Sequence, residues 1–142
     1  MKKLYILFFI INSLALVSQD WLESYEKSII KSNQEGKKII LVFQGSDWCG
    51  PCIKLTEEVW SSEYFIDYAR KFFILLKADF PRKRKNYLSD EQKEANKILA
   101  ERFNPNGYFP LIVVIDSTGN VLGKMGYEKK TPEQYIKTIE SF

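Results

Sequence analysis

The chain has 142 residues, of which 45% are hydrophobic and 27% are charged, as in an ordinary globular protein. Its 21 basic and 18 acidic residues leave a net charge of +3, which is too small to argue for a nucleic-acid partner or an acidic membrane surface. The sequence has no histidine, which excludes the usual Cys/His zinc sites, haem attachment through Cys-x-x-Cys-His and every histidine-based nucleophilic triad.

The N-terminus has the pattern of a signal peptide. Lys2 and Lys3 are followed by an almost uninterrupted apolar run over residues 4–17. As a helix this run reaches about 21 Å, short of the roughly 30 Å hydrocarbon core, which favours a cleaved segment over a permanent span. We therefore predict a signal peptide over residues 1–18, export, and a single domain over residues 19–142, with an uncleaved anchor as the alternative.

The mature chain opens with a helix and a buried strand. Apolar residues recur at helical spacing over residues 20–34, and Gly36 is a natural end for that helix. Residues 39–43 are apolar without alternation, which predicts a strand covered on both faces at the centre of a sheet. A loop then leads into Cys49-Gly50-Pro51-Cys52, and residues 53–60 continue with a helical pattern.

The next segments predict a parallel βαβ unit and an exposed loop. Ser61 or Ser62 can cap a helix reaching about Lys71, and a strand follows over residues 72–78. Residues 79–88 are polar and contain four consecutive basic residues, 82–85. We interpret this stretch as a solvated loop, with docking of an acidic partner or a membrane surface as the alternative.

The remaining elements complete the fold. The sequence predicts a helix from a Ser89/Gln92 capping box to Phe103, a turn at 104–107, two strands over 111–115 and 121–125 around a hairpin turn, and a last helix after a Thr131/Gln134 capping box. Parallel strands followed by an antiparallel pair, with helices between them, predict an α/β fold: a three-layer α/β/α sandwich with a mixed central sheet.

The two cysteines predict redox chemistry. A cysteine at the start of a helix is expected to have a pKa below about 8.5, so Cys49 is the candidate nucleophile. Cys52, one turn later on the same side, can attack a mixed disulfide at Cys49 and resolve it. A metal site would need two further ligands that Cys or His cannot supply here, so we expect none; an ion shared between two subunits is the alternative.

The sequence Trp48-Cys49-Gly50-Pro51-Cys52, between a buried strand and a helix, resembles the active-site signature of thioredoxins. The resemblance extends over about residues 20–142 and implies a thioredoxin fold whose redox group is the Cys49–Cys52 disulfide, without another cofactor. Phe109-Pro110 resembles the cis-proline loop of that family, which implies that Pro110 lies beside the cysteines and offers backbone groups to a bound peptide. Gly126 resembles a glycine that flanks the peptide-binding surface. We expect Tyr108 and Phe109 to form the rim of that surface, with packing against the neighbouring helix as the alternative. We expect Trp48 to be partly exposed and to contact substrate, with a place in the core as the alternative.

The sequence departs from thioredoxins at one position. Six residues before the first cysteine, where that family carries a buried aspartate that assists proton transfer, this chain has Phe43. Lys77 resembles a lysine found near that carboxylate. Proton transfer is therefore left to water or to Asp47, Lys77 or Glu57.

These features predict a thiol-disulfide oxidoreductase of exported proteins. Gly50-Pro51 favours a protein-disulfide reductase by resemblance, and the long stretch 80–96 resembles exported thioredoxin-like proteins of bacteria, which implies a periplasmic or secreted location. A reductant there needs an electron donor, such as a membrane thiol relay. We expect cysteine-containing exported proteins as partners, no nucleic acid, and a monomer. The alternatives are a peptide-binding chaperone or adaptor of the same fold and a redox sensor, each with little turnover.

Overall fold

The computed structural model describes residues 20–142, so the predicted signal peptide lies outside the described residues. Five strands form one mixed sheet in the order β1-β3-β2-β4-β5. Strands β1, β3 and β2 run parallel, whereas β4 is antiparallel to both β2 and β5. The strands are β1 Trp21–Leu22, β2 Lys38–Gln44, β3 Phe73–Asp79, β4 Leu111–Ile115 and β5 Val121–Met125.

Helices cover both faces of this sheet. The helices are α1 Tyr25–Glu35, α2 Gly50–Leu55, α3 Glu63–Phe72, α4 Asp90–Phe103 and α5 Pro132–Glu140. Helix α2 continues into a π-helical turn, Thr56–Trp60, and a 3₁₀ turn, Arg84–Asn86, lies within the basic loop. Among the described residues, no helix is long and apolar enough to cross a membrane.

The central strand β2 separates two hydrophobic cores. Ile40 and Val42 face the core formed with α2, its π-helical turn, α3 and α5. Ile39, Leu41 and Phe43 face the core formed with α1 and α4. All five side chains are at most 1% exposed. The predicted buried central strand and three-layer sandwich are therefore confirmed.

The first predicted helix was wrong at its start. Trp21 and Leu22 form a short edge strand that pairs in parallel with β3, and the helix begins only after Ser24, whose side chain accepts a hydrogen bond from the Lys27 N–H. A two-residue strand is too short to show an alternating pattern of its own. Its apolar residues therefore looked like the first turn of an amphipathic helix. The predicted end of the helix is confirmed, with Gly36 in the left-handed region at φ 66°.

Two other local predictions need correction. The helical pattern over 53–60 gave no sign of the π-helical turn that occupies its second half. At Ser89 the side chain caps α4 as expected, but the Gln92 amide donates to Glu23 O and Asn96 Oδ1 and does not complete a capping box. The Thr131/Gln134 box is complete.

Candidate active site

The end of β2 and the start of α2 position the two cysteines. After β2 the chain turns back so that the N–H groups of Trp48 and Cys49 both donate to Gly45 O, at 3.3 and 2.9 Å. Cys49 is the N-cap of α2, and Pro51 occupies the first turn, where its missing N–H costs no helical hydrogen bond. The tight turn after β2 and the start of α2 together place both sulfur atoms near the end of the central strand.

Cys49 and Cys52 form a disulfide bond. The backbone N–H of Cys52 points at Cys49 Sγ, with a nitrogen–sulfur distance of 3.3 Å. Cys49 is 5% exposed and Cys52 only 2% exposed, so Cys49 is the more accessible of the pair. The disulfide lies at the start of a helix, where unpaired N–H groups favour negative charge on sulfur.

Trp48 is half-buried and held by three neighbours. Its indole Nε1–H donates to Phe80 O at 2.7 Å, and its ring meets the Phe109 ring edge-on at 5.5 Å. The guanidinium of Arg82 lies over the ring, 3.8 Å from its centroid. The expected partial exposure of Trp48 is confirmed. Gly45 also lies against the indole, so closely that a β-carbon at that position would overlap the ring.

The Phe109–Pro110 peptide bond is cis. Pro110 is buried, whereas Tyr108 is exposed, and the Asn104 side chain holds the preceding loop through hydrogen bonds with both Tyr108 N–H and Tyr108 O. A depression of about 370 Å³, which we call the redox groove, opens here. Its lining residues are Pro51, Tyr108, Phe109, Pro110, Leu111, Gly126 and Tyr127.

The redox groove brings together residues that are far apart in the sequence. Pro51 comes from the cysteine motif, Pro110 from the loop before β4, and Gly126 from the end of β5. A β-carbon built on Gly126 would lie 3.8 Å from Pro110 O, so a side chain there would stand over the proline carbonyl. The predicted motif and groove residues are thus neighbours in space.

Asp47 is the first of the three side chains considered for proton transfer. Asp47 accepts hydrogen bonds from the N–H groups of Arg82 and Lys83 and from the Asn86 amide, all at 2.9 Å. These bonds, that from Arg82 most strongly, hold the pKa of the Asp47 carboxyl below its usual range. The carboxylate therefore organises the basic loop.

Lys77 and Glu57 are the other two candidates for proton transfer. Lys77 Nζ forms an ion pair with Glu23 at 3.1 Å, and Glu57 is exposed on the π-helical turn. Phe43 is fully buried in the core beneath α1 and α4. None of residues 20–142 contributes to a group of three or more acidic, Cys or His side chains that could hold a metal ion.

A hydrogen bond between the redox groove and the π-helical turn was not predicted from the sequence. Tyr127 Oη donates to Glu58 Oε2 at 2.9 Å, and this bond raises the pKa of Tyr127 above its ordinary value. A helical pattern places Glu58 among solvent-facing residues. In the structure, Glu58 lies in the π-helical turn and meets Tyr127, which lies in the loop after β5. Arg82 was expected in a solvated loop, with docking of an acidic partner or a membrane surface as the alternative, and its contact with Trp48 was not predicted.

A sequence profile of the Thioredoxin-like family matches residues 20–117. The chain belongs to the Thioredoxin-like family. Among curated proteins it is 34% identical over 128 residues to the disulfide bond reductase DsbH of Chlamydia pneumoniae, covering 90% of this chain and 75% of DsbH. It is 24% identical over 106 residues to the thioredoxin-related protein DsbJ of the same organism, covering 75% of this chain and 30% of DsbJ.

Solved structures of the Thioredoxin-like family agree with this assignment. A DsbH oxidoreductase superposes with a TM-score of 0.80 and 30% identity, covering 99% of this chain and 92% of the other. A thioredoxin from Thermus thermophilus superposes with a TM-score of 0.62 over 87% of each chain, but at 14% identity it shows the fold alone. The predicted thioredoxin fold is confirmed, and the relatives support a thiol-disulfide oxidoreductase.

Proposed function

We propose that the chain is an exported protein-disulfide reductase that acts through Cys49 and Cys52. The observation that carries this proposal is the Cys49–Cys52 disulfide at the start of α2, where the Cys52 N–H faces Cys49 Sγ. The reductive direction is supported by the similarity to DsbH, which is named a disulfide bond reductase, and by the Gly50-Pro51 dipeptide of the motif.

The reaction has two exchange steps. In the reduced protein the Cys49 thiolate attacks one sulfur of a substrate disulfide. The substrate S–S bond breaks, one substrate thiolate leaves, and the other substrate sulfur is now bonded to Cys49 in a mixed disulfide. Cys52 then loses its proton and attacks Cys49 Sγ, which releases the second substrate thiolate and forms the Cys49–Cys52 disulfide. The substrate gains two electrons and two protons, and the protein is oxidised by the same amount.

The redox groove positions the substrate for this reaction. We infer that a peptide lies across the backbone at Pro110, with Tyr108 and Phe109 on its rim and with Gly126 leaving space above the proline carbonyl. Trp48 and the Gly50-Pro51 turn form the adjoining edge, beside the sulfur of Cys49. Contact through backbone groups suits a protein that accepts many different cysteine-containing sequences.

Proton transfer at Cys52 is assigned to water. Phe43 supplies no carboxylate, the Asp47 oxygens are engaged by the basic loop, and Lys77 is paired with Glu23. Glu57 is exposed and could exchange the proton only through solvent. We therefore expect the resolving step, not the first attack, to limit turnover.

Export and electron supply complete the proposal. The basic start and apolar run over residues 1–18 direct the chain to the periplasm or outside the cell. A reductant in an oxidising compartment has to be reduced again after each turnover. A membrane thiol relay is the class of electron donor that we propose for this step. The redox group is the cysteine pair itself, the substrates are exported proteins with disulfides, and the chain acts as a monomer without nucleic acid.

The test is the redox equilibrium of the cysteine pair in the protein purified after export. Wild type is equilibrated with graded ratios of reduced and oxidised glutathione or dithiothreitol, and free thiols are counted by alkylation and mass spectrometry. A reduction potential below about −260 mV is expected of a reductant, whereas a value near −120 to −180 mV would indicate a disulfide donor. Cys49→Ser should abolish reduction of a disulfide substrate, and Cys52→Ser should accumulate the mixed disulfide. A wild-type protein that binds peptides but exchanges no disulfide would instead be an adaptor.

A further inference from the structure

A second and larger depression adjoins the redox groove. It has a volume of about 700 Å³, and we call it the Arg82 groove. Phe109 lines both depressions, and Trp48, the residue before Cys49, lines only the second. An extended chain bound over Pro110 can therefore continue past Phe109 into the Arg82 groove.

The floor of the Arg82 groove is aromatic. The Phe109 ring is in edge contact with the Trp48 ring at 5.5 Å and with the Phe80 ring at 5.4 Å. The hydrogen bond from Trp48 Nε1 to Phe80 O ties two of these residues together. Leu88 adds an aliphatic side to the wall. Such a preformed apolar surface binds an apolar side chain without a large ordering cost.

The rim of the Arg82 groove is cationic. Among residues 20–142 no carboxylate forms an ion pair with the guanidinium of Arg82, which rests on the Trp48 ring. Lys93 also lines the groove; it pairs with the exposed Asp90 at 3.2 Å and lies near the Tyr87 ring.

The one acidic side chain in the groove lining is already engaged. Asp79 accepts hydrogen bonds from the Ser46 N–H at 2.9 Å, from the Ser46 hydroxyl at 2.6 Å and from the Phe80 N–H at 3.0 Å. Three further exposed cations, over residues 83–85, extend the same loop. Asp79 keeps its negative charge in these hydrogen bonds, so the lining carries two cations, Arg82 and Lys93, against one carboxylate. The groove therefore offers an apolar floor beside Arg82, a cation with no ion-pair partner among residues 20–142.

We propose that the Arg82 groove docks the polypeptide segment that flanks the disulfide exchanged at Cys49. An acidic side chain of that segment meets Arg82 and Lys93, and an apolar side chain lies against Phe80 and Phe109. This proposal rests on the proposed reductase function and deepens it, because it names acidic-apolar flanking sequence as the preferred substrate class. The exchange chemistry at sulfur is unchanged by docking, so the effect falls on substrate capture.

Single-turnover rates with two synthetic peptides test the proposal. Each peptide is closed by one disulfide, and the two differ only in a flanking segment of a phenylalanine between two glutamates or between two lysines. Full-length protein purified after export is reduced, freed of reductant and mixed with peptide, and second-order rate constants are read by acid quench and chromatography. We expect the acidic peptide to react about three- to tenfold faster at low ionic strength, and the preference to fall in concentrated salt, as screened ion pairs require.

Matched variants separate the groove from the general charge of the loop. The double variant Arg82→Gln/Lys93→Gln should lose the preference, whereas Lys83→Gln/Lys85→Gln, with the same change in net charge outside the groove lining, should keep most of it. Replacing the phenylalanine of the acidic peptide by glycine should also slow the reaction. Equal loss of preference in both double variants would overturn the groove as the docking site.

The neutral small disulfide 4,4′-dithiodipyridine tells the two proposals apart. It reports the reactivity of Cys49 without engaging a docking surface, and both double variants should react with it as wild type does. If wild-type protein reacts with this reagent and reduces the two peptides at equal rates, the docking proposal alone is wrong. Wild-type protein that reduces neither peptide would sink the proposed function.

Discussion

The hydroxyl of Tyr127 donates a hydrogen bond to the Glu58 carboxylate, with 2.9 Å between the oxygens. Tyr127 lines the redox groove next to Gly126, and Glu58 lies in the π-helical turn that continues the cysteine helix. The bond therefore ties one wall of the groove to the helix that carries the redox pair. It is the one side-chain hydrogen bond between these two segments in the described part of the chain.

This hydrogen bond predicts an observable change in tyrosine titration. Glu58→Gln should lower the pKa of Tyr127 toward its ordinary value near 10, because the charged acceptor that holds the phenol proton is removed. Since the folded-state pKa lies above the unfolded value, the stabilisation from this bond is complete below about pH 10 and is lost as pH rises through the folded pKa. Ultraviolet difference titration of the phenolate measures the shift.

The adjacent carboxylate supplies the control for that titration. Glu57→Gln removes the same charge one residue away, where Glu57 is exposed, and should leave Tyr127 unchanged. Tyr68, whose pKa Glu140 raises to about 12, is an internal reference that neither variant should move. Equal shifts of Tyr127 in both variants would mean that general charge, not the hydrogen bond, sets its pKa.

A second prediction concerns Gly45. Gly45→Ala should destabilise the protein by about 1–3 kcal/mol, because the new methyl group would overlap a Trp48 ring that Phe80, Phe109 and Arg82 hold in place. Urea unfolding gives the free energy, and near-ultraviolet circular dichroism reports a displaced indole.

The same substitution at Gly50 is the matched control. A β-carbon there has open space, and the position is the first residue of α2, so Gly50→Ala should be neutral or stabilising by less than about 1 kcal/mol. If the two alanine variants were equally stable, the indole would have to be free to move, contrary to its three contacts.

Long buried segments were predictable from sequence because their physics is local. The apolar run of β2 had to be a central strand, since no other position buries both of its faces, and the turn residues around Gly119 and Pro132 fixed the elements at the C-terminal end. The cysteine motif marked the candidate site for the same reason: its signature consists of five consecutive residues.

The missed features depend on contacts between distant segments. Trp21 becomes an edge strand only because β3 offers a free edge, and the π-helical turn places Glu58 where the loop after β5 returns. Asp47 was considered for proton transfer because it is close to Cys49 in sequence. Its oxygens bind the backbone of a loop more than thirty residues later, which no local pattern indicates.

A third prediction tests the phenylalanine that replaces the buried aspartate of thioredoxins. Phe43 is fully buried among the hydrophobic side chains of the core beneath α1 and α4. Phe43→Asp should therefore cost at least about 3 kcal/mol, whereas Phe43→Leu should cost about 1–1.5 kcal/mol. Burial should raise the pKa of the new carboxyl, so the aspartate variant should recover part of its deficit as pH falls from 7 to 4. A stable aspartate variant with faster resolution by Cys52 would instead show a functional proton relay at this position.

The last prediction concerns a polar atom left without a partner in the core. Trp60 is 3% exposed and packs against Trp21, Phe65 and Tyr135, with ring centroids 5.8, 4.5 and 6.0 Å away. Its Nε1–H is buried and finds no hydrogen-bond acceptor among the described residues.

Two substitutions of Trp60 separate the stabilisation that its ring contributes from the destabilisation caused by the unsatisfied N–H. Trp60→Phe keeps an aromatic ring and removes the unsatisfied donor, so the two effects offset each other and the loss should stay below about 1.5 kcal/mol. Trp60→Ala removes the ring and leaves a cavity, which should cost about 3–5 kcal/mol. Guanidinium unfolding of both variants measures these free energies. A phenylalanine variant as unstable as the alanine variant would contradict this prediction, because removal of an unsatisfied donor should then offset part of the lost packing.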